Sequence, residues 1–142
     1  MFYLSILSKP VPVETLEHTA DVRLRAWGRS FQGTLLELSN HMLKMVYGES
    51  IQPDLHIASK VEFESDEECV ARLLNDLIYQ SESAELAIRV RKITLCERTV
   101  LWEGDGEIAS KKERGSVLVK AATYDRIVVR RNPPLIEITL DI

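Results

Sequence analysis

The chain has 142 residues, 45% of them apolar and 28% charged, with a formal net charge of −4. This is one domain's worth of sequence, read as a single domain over 1–142, with apolar content enough for a core that needs no staple. The balance excludes a disordered chain. The apolar run at 2–7 is broken by Ser5 and has no basic segment before it, so neither a membrane span of about 18 residues nor a secretory leader is expected there.

The first regular element is Val22 to Trp27, where Val22, Leu24 and Ala26 alternate with Asp21, Arg23, Arg25 and Trp27. That period of two predicts a half-buried strand. Ser30 then stands as an N-cap before Phe31, Leu35, Leu38, Met42 and Met45, an apolar helical stripe, and Gly48 supplies the C-terminal stop. Both methionines read as core filler because they continue the stripe. Ile57, Ser59, Val61 and Phe63 alternate as a second strand. Asp66, Glu67 and Glu68 open a second helix, where acids complement the helix dipole. Its buried side carries Val70, Leu73, Leu74, Leu77 and Ile78, and it is expected to fray over 80–83.

Strands follow one another from there. Leu86, Ile88 and Val90 share a face, and Ile93 and Leu95 resume with shifted parity, which predicts a bulge near Arg91 and Lys92. Val100 to Trp102 reads as a short strand leading into a turn at Gly104, Asp105 and Gly106. A long strand is expected from Ser116 to Arg130, ended by Asn132, Pro133 and Pro134. In the last strand, Ile136, Ile138, Leu140 and Ile142 oppose Glu137, Thr139 and Asp141. Two helices set among many strands predict an α+β fold, a mainly antiparallel sheet with both helices packed on one face.

Charge is unevenly spread. Residues 1–85 carry 7 basic and 14 acidic side chains, and residues 86–131 carry 11 basic and 6 acidic. A dedicated nucleic-acid binder shows a strong overall basic excess, and this chain does not. An RNA-binding module built on Lys120, Arg126, Arg130 and Arg131 is the weaker alternative. Cys69 and Cys96 have no His or Cys companion at ligand spacing, so they are expected to be reduced, mostly buried thiols of a cytoplasmic protein.

Few residues offer chemistry. His18 and Asp21 flank an expected turn at the entry to the first strand, where functional groups are often held on a rigid scaffold. Asp141 lies on the polar face of the last strand, next to Ile142 and its expected terminal carboxylate. Such an oxygen-rich set suits a hard divalent cation, calcium or magnesium. No Gly-rich phosphate loop, nucleophile elbow or Cys-x-x-Cys is present in the sequence. A small metal-dependent hydrolase built on His18, Asp21 and Asp141 stays open at this point.

Four stretches, Glu17-His18-Thr19-Ala20-Asp21-Val22, Ala26-Trp27-Gly28, Val119-Lys120-Ala121-Ala122-Thr123-Tyr124 and Leu140-Asp141-Ile142, together resemble the archease family over nearly the whole chain. The resemblance implies a non-catalytic, cytoplasmic activator of an RtcB-type RNA ligase in tRNA splicing and RNA repair. Such an activator promotes guanylylation and multiple turnover of the ligase with a divalent metal, calcium foremost. A chaperone-like partner of an RNA methyltransferase is the other role proposed for the family. The partner implied is the ligase, with RNA met only through it and no membrane. Asp21 and Asp141 are implied as metal-associated, with the Ile142 carboxylate beside them and His18, Lys120, Thr123, Tyr124 and Asp125 as site neighbours. Two positions depart from the family pattern: Arg23 stands where Gly is common, and Asp125 where His is common.

Overall fold

The structure, a computed structural model, describes residues 12–18, 21–108 and 117–142. The run 2–7, Thr19, Ala20, Ser116 and the side chain of His18 lie outside the described residues. Among the described residues nine elements follow in order: β1 (Val13–His18), β2 (Asp21–Trp27), α1 (Phe31–Tyr47), β3 (Leu55–Glu62), α2 (Asp66–Ala84), β4 (Leu86–Cys96), β5 (Thr99–Ile108), β6 (Ala121–Arg131) and β7 (Pro134–Asp141). Every strand pairing is antiparallel. The strands divide into two sheets, β1-β2-β7-β6 and β3-β5-β4, where the sequence suggested one.

Alternation places Val22, Leu24 and Ala26 of β2 and Ile136, Ile138 and Leu140 of β7 inward, all buried. They join Ile88, Val90, Val100 and Trp102 from the second sheet and Leu35, Leu38, Met42, Leu73, Leu74 and Leu77 from the helices in one continuous core. Helix α1 rests on β4 and also touches β2 and β7, whereas α2 rests on β6 and also touches β4. Each helix therefore stitches one sheet to the other. Both begin as a serine cap requires: Ser30 Oγ accepts from the Gly33 amide at 2.9 Å, and Ser65 Oγ from the Glu68 amide at 3.1 Å. Gly48 ends α1 with φ of 85°, a left-handed value that glycine adopts freely. No helix among the described residues is long and apolar enough to cross a membrane.

Three sequence expectations are corrected. Gly104, Asp105 and Gly106 form no turn but lie inside the ten-residue β5. A Cβ on Gly104 would sit 2.1 Å from the Arg89 carbonyl oxygen, so glycine here permits close strand approach beside the β4 bulge, whose register shifts between Val90 and Lys92. Helix α2 does not fray at 80–83 but continues to Ala84. Ser81, buried there, donates to the Leu86 carbonyl at 2.7 Å and pairs with Tyr47 Oη at 3.0 Å. Of the two free cysteines only Cys69 is buried, and Cys96 is exposed at the end of β4. Burial pushes the Cys69 thiol up to about 11, which leaves it protonated and unreactive.

Two asparagines guard sheet edges. Asn40 of α1 donates to the Val90 carbonyl and accepts from the Val90 amide, each at 2.9 Å, on the outer edge of β4. Asn75 of α2 does the same for Ala122 of β6, at 2.9 and 2.8 Å. Each carboxamide replaces a missing strand neighbour. Asn40→Ala leaves both buried Val90 groups unmet and should cost about 1–3 kcal/mol. A urea unfolding curve unchanged from the parent would refute this assignment.

Candidate functional site

The candidate residues meet at one end of the four-stranded sheet. Asp21 begins β2 and is directly opposite Asp141, near the end of β7. Directly opposed residues share a face, with Cβ atoms about 4.5–5.5 Å apart. Ala121 opposes Asp141 from the other side, and the Lys120 amide donates to the Asp141 carbonyl at 2.8 Å. Asp141 and Lys120 are exposed and Asp21 is half-buried. The sheet thus aligns two aspartates through its register, although they are 120 positions apart in the chain. Like charges directly opposed repel one another.

Ile142 is half-buried and its side chain packs against the core. His18 is placed by its backbone alone, opposite Val22 in the β1–β2 pair. Thr123 opposes Thr139 and donates through Oγ1 to its carbonyl at 3.1 Å. Tyr124 and Asp125 follow in a bulge where the register jumps from Thr123↔Thr139 to Val128↔Glu137. Four residues of β6, 124–127, therefore stand opposite Ile138 alone.

Local alternation does not reveal the ion-pair ladder beside this end. Arg23, assigned by alternation to the solvent side, is only 7% exposed. Its Nη2 donates to Glu137 Oε1 at 2.8 Å and to the Arg126 carbonyl at 2.6 Å, and its Nη1 donates to Thr139 Oγ1 at 3.0 Å. Arg25 Nε donates to Glu137 Oε2 at 2.8 Å, and its Nη1 reaches Glu14 at 3.1 Å. Burial pushes the Glu137 carboxyl up, but the hydrogen bonds and charges of Arg25 and Arg23 together hold it below its ordinary value. The cover over Arg23 is the bulge itself, and only the contact of residues far apart in sequence creates it.

Of the four basic residues of the RNA-binding alternative, Lys120 and Arg130 are exposed and the other two are paired. Arg131 is held by Asp66 at 2.8 Å and lies over the Phe31 ring at 4.7 Å, and Arg126 pairs with Asp125 at 3.3 Å. His41 on α1 is half-buried, and burial, with the nearby Lys44 charge, lowers its pKa. His56 lies 3.8 Å from Glu103 on the outer face of the three-stranded sheet, far in sequence from the aspartates.

The chain is 26% identical over 134 residues to protein archease of Pyrobaculum neutrophilum, an alignment covering 87% of this chain and 88% of that one. The solution structure of Methanobacterium thermoautotrophicum protein 1598 matches with a TM-score of 0.72 at 18% identity, over 92% of this chain and 98% of the other. A Thermotoga maritima crystal structure, described as an archease and possible chaperone, gives 0.63 at 18%, covering 91% and 96%. At that identity the two structures establish the shared fold. The model of the Archease protein family matches residues 14–142, a span that takes in both aspartates and every described element but the first residue of β1, and the chain therefore belongs to the archease family.

Proposed function

We propose that this protein is a non-catalytic activator of an RtcB-type RNA ligase in tRNA splicing and RNA repair. In this reading it is cytoplasmic, promotes guanylylation and repeated turnover of the ligase, and meets RNA only through it. The observation that carries the reading is the direct opposition of Asp21 and Asp141 in a chain of this family. The description of the Thermotoga maritima relative as a possible chaperone supports a role exerted on another protein.

The donor set fits a hard divalent cation, calcium first, because two opposed carboxylates offer oxygen ligands and need a positive charge between them. Among the described residues no three His, Cys, Asp or Glu side chains are grouped closely enough to hold an ion. Further oxygen must come from elsewhere, in this reading from the main chain at Ile142 and from water. A cation held there supplies positive charge at the sheet end, where phosphate oxygens of a partner's nucleotide would be attracted. Lys120, one residue before β6, is exposed at the same end of the sheet and adds positive charge to that end.

The test is ligation under multiple turnover, with catalytic amounts of the matching ligase, GTP and limiting divalent metal. Adding this protein should raise the number of turnovers and the fraction of ligase guanylylated. Unchanged turnover rejects the activator role. Stimulation of an RNA methyltransferase instead would favour the chaperone-like alternative, and metal-dependent hydrolysis by this protein alone would favour a hydrolase.

A further inference from the structure

We infer that the bulge at Tyr124, Asp125, Arg126 and Ile127 is the element that meets the ligase, with Tyr124 as its anchor and buried Arg23 as its positioning residue. The inference rests on the ligase reading and adds the contact surface to it. Three observations carry it.

The first is where the guanidinium's hydrogen bonds go. Arg23 could be satisfied by Glu137 and solvent. Instead it is buried, and it spends Nη2 on the Arg126 carbonyl and Nη1 on Thr139 Oγ1, which in turn donates to the Asp125 carbonyl at 3.1 Å. Burying a guanidinium is costly unless its donors are met. Here two of its partners lead to the backbone of one short loop, so the residue fixes that loop's shape.

The second is the conformation so fixed. Arg126 has φ of 53°, a left-handed value that a non-glycine residue holds only where its surroundings over-determine it. The Asp125 amide points back to Thr123 Oγ1 at 3.3 Å, and Ile127 packs against the core. The loop is tied from both ends and from beneath.

The third is what the loop displays. Tyr124 is 51% exposed, an aromatic ring offered on a pre-shaped backbone. Aromatic anchors carry much of the affinity at interfaces, and shape fixed beforehand spares the ordering cost of binding. The display stands beside the aspartates: Arg23 follows Asp21 by two residues on the same strand face, about 7 Å along it, and Thr123 follows Ala121, the partner of Asp141. A ligase pocket that takes the ring would bring its own nucleotide site to the Asp21 and Asp141 end. The chemistry required of the partner is an apolar recess sized for an aromatic ring, open at the rim so that the hydroxyl stays in water.

The experiment compares Tyr124→Ala, Tyr124→Phe and Arg23→Met with the parent chain. Its readouts are ligase activation against protein concentration, calcium binding by calorimetry, and amide exchange by mass spectrometry. Arg23→Met spares the rest of the ladder, because Glu137 keeps its bond to Arg25. Tyr124→Ala should raise the concentration for half-maximal activation by at least about tenfold, the scale of a lost anchor. It should leave calcium affinity and exchange unchanged, and Tyr124→Phe should retain activation. Arg23→Met should raise that concentration as well and speed exchange across 124–127 by about tenfold or more, with exchange in β5 and both helices unaltered. If Tyr124→Ala activates as the parent does, the contact is elsewhere and the inference fails alone. If exchange in Arg23→Met is unaltered, Arg23 does not position the loop. If the parent chain itself fails to activate the ligase, the ligase reading falls and takes the inference with it.

Discussion

Replacing Trp102 with Ala should remove about 3–5 kcal/mol of folding free energy, the range for emptying a fully buried aromatic site. Trp102 lies in β5, the central strand of its sheet, and is 0% exposed. Its indole Nε1 donates to Asp76 Oδ2 of α2 at 2.8 Å, so the change empties a large volume and also removes one of the two donors to that carboxylate, leaving Gln80 on Oδ1 at 3.3 Å. Domains are typically stable by about 5–15 kcal/mol, which leaves this variant close to unfolding at ambient temperature. The measurement is the urea midpoint at constant slope. A loss below about 1 kcal/mol, within the range of a well-tolerated core exchange, would contradict the packing described.

Asp141→Ala should separate function from stability. Asp141 is exposed, and the bonds that hold it in place are made by its backbone, through the Lys120 amide and the pairing with Asp21 and Ala121. Its inward neighbours Leu140 and Ile138 remain fully buried. The unfolding midpoint should therefore stay near that of the parent chain. Calcium affinity should fall by at least about tenfold, because affinity at oxygen-ligand sites follows the number of charged ligands, and ligase activation should fall with it. Parent-like calcium binding by this variant would remove Asp141 from the proposed metal site.

The difference between these two sites explains what could be read from sequence. Inward alternation in β2 and β7 and the helical stripes of α1 and α2 follow from local periodicity, so the core was legible residue by residue. Asp21 and Asp141 were singled out because each lies on a polar strand face, and their opposition then depends on register alone. The Gly104 position failed for a physical reason: glycines in sequence signal turns, yet here two of them make room for a neighbouring strand. β1 went unread as a strand because its residues, Val-Glu-Thr-Leu-Glu-His, carry a bulge between Thr15 and Glu17 that interrupts the alternation. Parity is also broken in β6, where Ala122 and then Val129 face the core, so the single long strand expected over 116–130 is instead two short ladders about a bulge, running from Ala121 to Arg131. Arg23 and Asp125 each looked like an isolated departure from the family pattern. In the fold they meet, since the guanidinium lies beneath the backbone of Asp125 and Arg126, and no spacing rule links residues 102 positions apart.

The bulge in β6 also uncouples two things that a strand usually ties together. Pairing is set independently on its two sides, by Thr123↔Thr139 and by Val128↔Glu137. A one-residue slip within a regular strand exchanges its buried and exposed faces. A residue gained or lost between 124 and 127 changes the loop and the carbonyls it offers to Arg23, while both ladders can stay in register. Length and composition can therefore diverge at this spot under selection for a changing partner, while the core answers to a separate and constant demand for packing.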